Sequence, residues 1–258
     1  MRAFPPCGRA ALASTFKRRL MAVLTAALLS ACAATPSQPA PAEATDPNDS
    51  TPFIAGGHEP GWQLQLLGDH AELQRFGEPV PARMRISAID SSADLTRLSV
   101  DSALGAVSIR IAHSLCRDSC SGLPHPDNVS IDLPDRQLRG CGGDPHALLR
   151  AQPWQLAIVE VAAPVALLSF GEAKRLQLQG PCSDYLGEYT LSGEGLRLQL
   201  TKVSRERCAG TNAEAEEPEL QLLQRLAAVQ RHDFGPAGEL RLLSADGSYL
   251  TAVAAPTE

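Results

Sequence analysis

The sequence predicts a mainly β protein with one helix, an α+β fold built from two β-rich domains. Apolar and polar side chains alternate along most of the chain from Phe53 onward, with the period of strands that bury one face. One stretch, EPELQLLQRLAAVQRH at residues 217–232, has helical spacing instead. A chain of 258 residues can form one or two domains, and a second alternating series begins after residues 144–150, so we expect two.

Residues 1–31 predict a bacterial lipoprotein signal peptide. A basic leader ending in Lys17-Arg18-Arg19 precedes an apolar run of about ten residues, which is too short to span a bilayer. The run ends at Leu29-Ser30-Ala31-Cys32, which resembles the lipobox, in which the cysteine is lipidated and becomes the mature N-terminus. Ala33 rather than Asp follows, a pattern that favours the outer membrane, whose lipid would be a partner of Cys32. An ordinary secretory signal cut near residues 31–34 is the alternative.

Residues 32–52 predict a flexible tether, because they are rich in Pro, Ala and Ser and almost free of bulky apolar side chains. Removal of the leader, with its five basic residues and no acids, takes the formal net charge from −6 to −11. Such a surface repels phosphate backbones, so we expect no nucleic-acid partner.

The first predicted domain covers residues 53–145. Alternating segments around Leu64, Ile86 and Ile109 each predict a strand with one wet face, and residues 128–141 predict two more strands around a Pro134-Asp135 turn.

The second predicted domain covers residues 147–258, with about six strands and the helix. Residues 153–161, 165–170 and 175–180 are strand-like, and hairpins are expected at 192–195 and at Asp246-Gly247. In the helix, Pro218 suits the first turn. One helical face carries the apolar residues Leu220, Leu223, Leu226 and Ala227.

Residues 147–255 resemble the META domain family, whose bacterial members include the heat-shock protein HslJ. Trp154 lies in the first strand, as in the family, and Glu219 stands at the start of the helix. The segment CSDYLGEY supplies Cys182, Tyr185, Gly187 and Tyr189 at the family spacing, and SRERC places Cys208 at the second family cysteine. The chain departs from the pattern at Pro181 and Ser183, where the family has Gly and Asn.

The first domain resembles an uncharacterised group of bacterial envelope proteins that are often joined to META domains. The matching residues are Gly57, Glu59, Pro60 and Trp62 near the start, Cys116, Asp118, Ser119, Ser121 and Gly122 in the middle, and Gly140, Cys141, Gly142 and Gly143 near the end. We interpret Asp118 as a turn residue that bonds its own backbone.

Five cysteines remain in an oxidising compartment once Cys7 leaves with the leader and Cys32 carries lipid. The two resemblances imply disulfides between Cys116 and Cys141 and between Cys182 and Cys208. Each would close a loop of 25 or 26 residues, stabilised by roughly 3–4 kcal/mol on the chain-entropy model. Cys120 would then be the odd thiol, although pairing of Cys120 with Cys141 remains open.

A metal site is an alternative to structural disulfides in the same region. The residues that could supply nitrogen and sulfur ligands are His113, Cys116, Cys120, His125, Cys141 and His146. Their spacing is not the short paired kind typical of zinc sites, and oxidation competes for the thiols. Thiol redox chemistry is a further alternative, but the sequence has no C-x-x-C.

The sequence carries no G-x-S-x-G, no H-E-x-x-H and no phosphate-cradling glycine loop, so we expect a non-enzymatic protein without a cofactor. Trp154, Tyr185 and Tyr189 could line a ligand surface, although we favour core positions. The family resemblance implies a binding or scaffolding role in envelope stress or antibiotic tolerance, with an unknown envelope protein or small ligand as partner. A periplasmic metal- or small-ligand-binding sensor centred on residues 113–146 is the alternative, and a thiol oxidoreductase comes third.

Overall fold

The computed structural model describes residues 52–103, 105–157, 165–203, 208 and 216–256. The predicted signal peptide, the lipidation of Cys32 and the tether up to residue 51 lie outside the described residues. No helix in these described ranges is long and apolar enough to cross a membrane.

A closed barrel of eight antiparallel strands forms the first part of the described chain, with the strand order β1-β10-β9-β6-β5-β4-β3-β2. Two short strands, β7 and β8, form a separate hairpin between β6 and β9. The strands are β1 (Phe53–His58), β2 (Gly61–Leu67), β3 (His70–Arg75), β4 (Ala82–Ser91), β5 (Leu95–Asp101), β6 (Val107–Ala112), β7 (Cys116–Arg117), β8 (Pro124–His125), β9 (Asp127–Asp132) and β10 (Gln137–Gly142).

Apolar side chains fill the barrel, because alternate residues of each strand point inward. One interior layer runs across four neighbouring strands in direct register, from Leu98 through Ile109 and Ile131 to Leu138. All four of these side chains are buried. Residues one position along each strand therefore face outward, and they form the outer wall of the barrel.

A second antiparallel sheet of eight strands follows, in the order β15-β14-β13-β12-β11-β18-β17-β16. It carries its own apolar core, in which Trp154 and Tyr189 are among the largest buried side chains. The strands are β11 (Trp154–Ala157), β12 (Val165–Phe170), β13 (Arg175–Gln179), β14 (Asp184–Ser192), β15 (Gly195–Lys202), β16 (Val229–Phe234), β17 (Leu240–Ser244) and β18 (Tyr249–Ala254).

The described residues contain two α-helices rather than the single helix that was predicted. Helix α1 (Pro145–Arg150) begins after Asp144, whose side chain accepts a hydrogen bond from the backbone N–H of His146, and Pro145 occupies its first turn. Helix α2 (Glu216–Ala227) lies between β15 and β16 and packs Leu222 and Leu226 into the core of the second sheet.

The predicted apolar face of α2 is right at Leu226, which is buried, and at Leu223, which packs against the core, but wrong at Leu220 and Ala227, which are exposed. Leu220 is 49% exposed, whereas Leu222 is 4% exposed and lies in the core. The inward face instead carries Glu219, Leu222 and Leu226, which are three and four positions apart. The mainly β fold class is confirmed, but the second half has eight strands where about six were expected.

Candidate functional site

Residues 115–125 form a hairpin, here named the joining hairpin, on which β7 and β8 pair. Its turn is organised by Asp118, whose Oδ1 accepts hydrogen bonds from the backbone N–H groups of Cys120 and Ser121, at 3.1 and 2.7 Å. The Ser121 hydroxyl donates to the same oxygen at 2.7 Å. The interpretation of Asp118 as a turn residue is thereby confirmed.

The joining hairpin is fixed to the barrel at two points. The disulfide between Cys116 and Cys141 ties it to β10, and Asp118 Oδ2 lies 2.9 Å from Nε2 of His58 on β1. Partial burial alone would raise the pKa of Asp118, but hydrogen bonds from Ser121 and the charge of His58 outweigh it. The pKa of Asp118 therefore lies below its ordinary value, which favours the carboxylate that the turn needs.

The same hairpin is also fixed to the second sheet. Arg117 donates through Nε to Asp233 Oδ1 at 2.9 Å and through Nη2 to the carbonyl of Phe234 at 2.8 Å. In the opposite direction, Arg231 Nη2 donates to the carbonyl of Ser121 at 2.8 Å. Leu115 packs against the core of the second sheet. The joining hairpin therefore contacts both the barrel and the second sheet.

An open cleft of about 520 Å³ lies between the joining hairpin and the outer wall of the barrel. Arg117, Asp118 and Ser119 of the hairpin line one side of it. Outward-facing residues of β6, β9 and β10 line the other side, including Arg110, Ser130 and Arg139. A concave surface with several convergent polar groups is the usual form of a small-ligand site.

Polar contacts hold the barrel side of this cleft in place. Arg139 Nε donates to Gln137 Oε1 at 2.7 Å, and Gln137 Nε2 donates to Asp132 Oδ1 at 2.6 Å. The other oxygen of Asp132 lies 3.3 Å from Arg110 Nη2 and accepts from Ser108 Oγ at 3.2 Å. A chain of hydrogen bonds thus links the two arginines across β10, β9 and β6.

Strand pairing and a disulfide bring Cys116, His125 and Cys141 near one another, but among the described residues the predicted metal ligands form no cluster of three ligand atoms. His113 bonds Asp127 and Thr96, at 2.8 and 3.1 Å, and His125 bonds the carbonyl of Gly143 at 3.3 Å. His146 lies 3.2 Å from the hydroxyl of Tyr189. Cys116 and Cys141 bond each other, so their sulfurs are unavailable as thiolate ligands.

Cys120 does not fit the prediction of an odd thiol, because its sulfur is disulfide-bonded. The residue lies at an exposed position in the turn of the joining hairpin. Within the described ranges, Cys120 forms a potential metal-binding group with His58 and Asp118. A disulfide sulfur is a poor metal ligand, so this group does not support the metal-sensor alternative.

The predicted ligand surface of aromatic residues is wrong, because all three side chains are buried. Trp154, Tyr185 and Tyr189 are 2%, 6% and 1% exposed. Their polar atoms are used internally: Trp154 Nε1 donates to the carbonyl of Leu149 at 2.7 Å, and Tyr185 donates to Glu219 Oε1 at 2.8 Å. They are core residues of the second sheet.

The second implied disulfide, between Cys182 and Cys208, is present and lies in the second sheet region, where both cysteines are buried. Burial of four of the disulfide cysteines restricts attack by an external thiolate, so the geometry does not favour the oxidoreductase alternative.

Sequence reasoning missed the cleft. Arg110 and Arg139 of its barrel wall are 29 positions apart along the chain and come onto one surface only through strand pairing. The one available signal was that both occupy outward positions of alternating strands.

The fold and the cleft define a two-part β protein, in which a closed barrel is joined by a hairpin to an eight-stranded sheet with a packed helix. Residues 147–257 match the family model of the META domain. The C-terminal half of the chain therefore contains a META domain. No curated protein and no solved structure matches the chain.

Proposed function

We propose that this protein is a non-enzymatic envelope lipoprotein that binds a ligand or partner in the cleft beside the joining hairpin. A lipid on Cys32 would hold it at the outer membrane, facing the periplasm, and residues 32–52 would separate the folded part from the membrane. The observation that carries the proposal is the attachment of one cleft wall to the META domain, through Arg117 and Arg231.

The joining hairpin, which forms one wall of the cleft, is attached both to the barrel and to the META domain. This favours binding, because a preorganised site loses little conformational entropy when its ligand arrives. The Cys116–Cys141 disulfide holds the hairpin to the barrel, and the hydrogen bonds to Asp233, Phe234 and Ser121 hold it to the META domain. The META domain would thus act as a support for a site that lies on the barrel.

The chemistry of the cleft favours binding over catalysis. Asp118 is the one carboxylate among the described residues that line it. Its Oδ1 accepts three hydrogen bonds within the turn and its Oδ2 is paired with His58. A general base needs a carboxylate oxygen within reach of a substrate proton, and these oxygens are committed to structure.

The disulfides Cys116–Cys141 and Cys182–Cys208 support the proposed periplasmic location, since such bonds persist in oxidising environments and are rare in the cytosol. The resemblance to HslJ and the presence of a META domain support a role in envelope stress or antibiotic tolerance.

A deletion strain tests this proposal. We expect the strain to become more sensitive to heat, detergents and hydrophobic antibiotics, and the wild-type gene to restore resistance. A gene encoding Cys32→Ser should restore it poorly, because the protein would lose its anchor. Unchanged sensitivity of the deletion strain to all three stresses would contradict the proposed role.

A further inference from the structure

We propose that the cleft binds a phosphate group, held between Arg110 and Arg139 on the outer wall of the barrel. The inference rests on the proposed function in using the same cleft, and it adds the chemical class of the ligand.

Strand pairing places the basic residues in one row. Arg97 on β5 is the cross-strand partner of Arg110 on β6, Arg110 is the partner of Ser130 on β9, and Ser130 is the partner of Arg139 on β10. Arg110, Ser130 and Arg139 all line the cleft. The row lies directly outside the apolar layer that contains Ile109 and Ile131.

The spacing of the row suits one anion between two guanidinium groups. Arg110 and Arg139 are two strands apart, which corresponds to roughly 10 Å between their backbones. The residue between them, Ser130, is small and adds a hydroxyl that can donate to an anion. A phosphate has oxygens in several directions, so it can accept from two separated arginine forks at once, whereas the two oxygens of a carboxylate lie on one side.

The charges of the row favour an anion as well. Arg97 and Arg110 are directly opposed, and like charges in such cross-strand pairs destabilise a sheet, although Asp90 lies 3.8 Å from Arg97 and offsets part of its charge. Asp132 partly balances Arg110, while the Nε of Arg139 donates to the neutral amide of Gln137. A bound anion would relieve this repulsion, and a cost in stability at a binding site is common in natural proteins.

The charge of the hairpin wall does not oppose an anion that is bound at the barrel wall. Asp118 is the acid of that wall, and its charge is offset by the hydrogen bonds from Ser121 and by the contact with His58. Arg117 also lines the cleft, although it is paired with Asp233. We therefore place the anionic group at the barrel wall rather than at the hairpin.

Titration of the full chain with inorganic phosphate at constant ionic strength, followed by isothermal calorimetry or NMR, tests the proposal. We expect saturable binding to the wild-type protein. Arg110→Gln and Arg139→Gln should each weaken it about tenfold or more, because each removes a charge-assisted hydrogen bond. The matched control is Arg85→Gln, since Arg85 is an exposed arginine of β4 outside the cleft, and it should bind as the wild type does.

A second arm separates free phosphate from a lipid headgroup. The same proteins are sedimented with vesicles of phosphatidylglycerol or of phosphatidylcholine. Arginine-dependent binding to phosphatidylglycerol vesicles without binding of inorganic phosphate would support a lipid phosphate as the ligand, and arginine-dependent binding of inorganic phosphate would support a soluble one.

Three results would overturn the inference. The first is binding in neither arm, the second is binding that Arg110→Gln and Arg139→Gln leave intact, and the third is binding that Arg85→Gln weakens equally. Thermal unfolding in chloride shows whether each variant is folded. Should Arg139→Gln fail to fold, Arg139→Lys keeps the charge without the planar fork and should still weaken phosphate binding. If the titration shows no phosphate binding but the deletion strain is sensitive, phosphate is ruled out as the ligand and the proposed binding role stands.

Discussion

Glu219 is a buried acid that joins helix α2 to the loop after β13. It is 2% exposed, and its carboxylate accepts from the backbone N–H of Cys182 at 2.7 Å and from the hydroxyl of Tyr185 at 2.8 Å. These bonds orient the helix, because they draw Glu219 inward together with Leu222 and Leu226 on the same face. The exposure of Leu220 follows from the same rotation of the helix.

Glu219→Ala should therefore lower the free energy of unfolding by about 2–4 kcal/mol, since it leaves two buried donors without their acceptor. Urea denaturation monitored by circular dichroism measures the loss. The matched control is Glu217→Ala, at an exposed position of the same helix, which should cost less than about 0.5 kcal/mol. Equal losses for the two variants would show that the buried hydrogen bonds do not stabilise the domain.

We expect His232 to make the stability of the META domain depend on pH. It is 5% exposed on β16, and its Nε2 has no hydrogen-bond partner within the described residues. Burial disfavours the imidazolium and lowers the pKa of His232 to about 4; the charge of nearby His146 adds to this effect, and that of Asp233 opposes it.

The unfolded chain thus protonates His232 at a higher pH than the folded chain does. The free energy of unfolding should fall as the pH drops from about 6.5 towards 4, by up to about 3 kcal/mol from this group. His232→Leu should remove that part of the fall, whereas His70→Leu, at an exposed site, should not. Urea midpoints measured across this pH range test the prediction, and an unchanged pH profile in His232→Leu would contradict it.

At the scale of elements, the joining hairpin depends on Gly122. This residue has a φ of +72°, and a Cβ there would lie 2.6 Å from Nη2 of Arg231, the nitrogen that donates to Ser121. Gly122→Ala should therefore destabilise the protein through backbone strain and through displacement of Arg231.

Gly68→Ala separates the backbone strain from the displacement of Arg231, because Gly68 also has a positive φ but has open space where a Cβ would lie. We expect Gly122→Ala to cost about 1 kcal/mol more than Gly68→Ala in urea denaturation. Equal costs would mean that the contact between Arg231 and Ser121 contributes little.

The disulfides Cys116–Cys141 and Cys182–Cys208 also act at the scale of elements. Replacing Cys182 and Cys208 by serine should lower the free energy of unfolding by about 3 kcal/mol, because the bond closes a loop of 26 residues. The corresponding double variant of Cys116 and Cys141 should cost a similar amount and should also release the joining hairpin from β10. Thermal unfolding of both double variants measures these losses, and a loss near zero would contradict the account.

Much of the element order was predictable, because half-buried strands alternate with period two and the turns at 192–195 and at Asp246-Gly247 carry turn residues. The resemblances implied the pairs Cys116–Cys141 and Cys182–Cys208, which the structure contains, but they did not imply the disulfide bonding of Cys120. Helix α1 was missed because six residues are too few to show a helical period, although Asp144 and Pro145 are suitable start signals.

The cleft could not be predicted for a different reason. It depends on the register of β6, β9 and β10, which a single sequence does not give, and on the position of the joining hairpin against the barrel wall. The burial of Tyr185 and Tyr189 likewise depends on partners far along the chain, Glu219 and His146.

At the scale of the whole molecule, the joining hairpin connects the barrel to the META domain. The hydrogen bonds of Arg117 and Arg231 and the packing of Leu115 cross between them, and the cleft wall is part of this connection. The proposed binding site therefore requires both parts to remain together.

The most direct test uses the two tryptophans, because Trp62 is buried in the barrel and Trp154 in the META domain. Urea unfolding of Trp62→Phe reports the META domain by fluorescence, and unfolding of Trp154→Phe reports the barrel. Each fluorescence midpoint is compared with the circular dichroism midpoint of the same variant, so the effect of the tryptophan substitution on stability cancels. We expect the fluorescence and circular dichroism transitions to coincide in each variant, and to separate when Arg117→Ala and Arg231→Ala are added. Two separate transitions in the presence of both arginines would contradict this expectation.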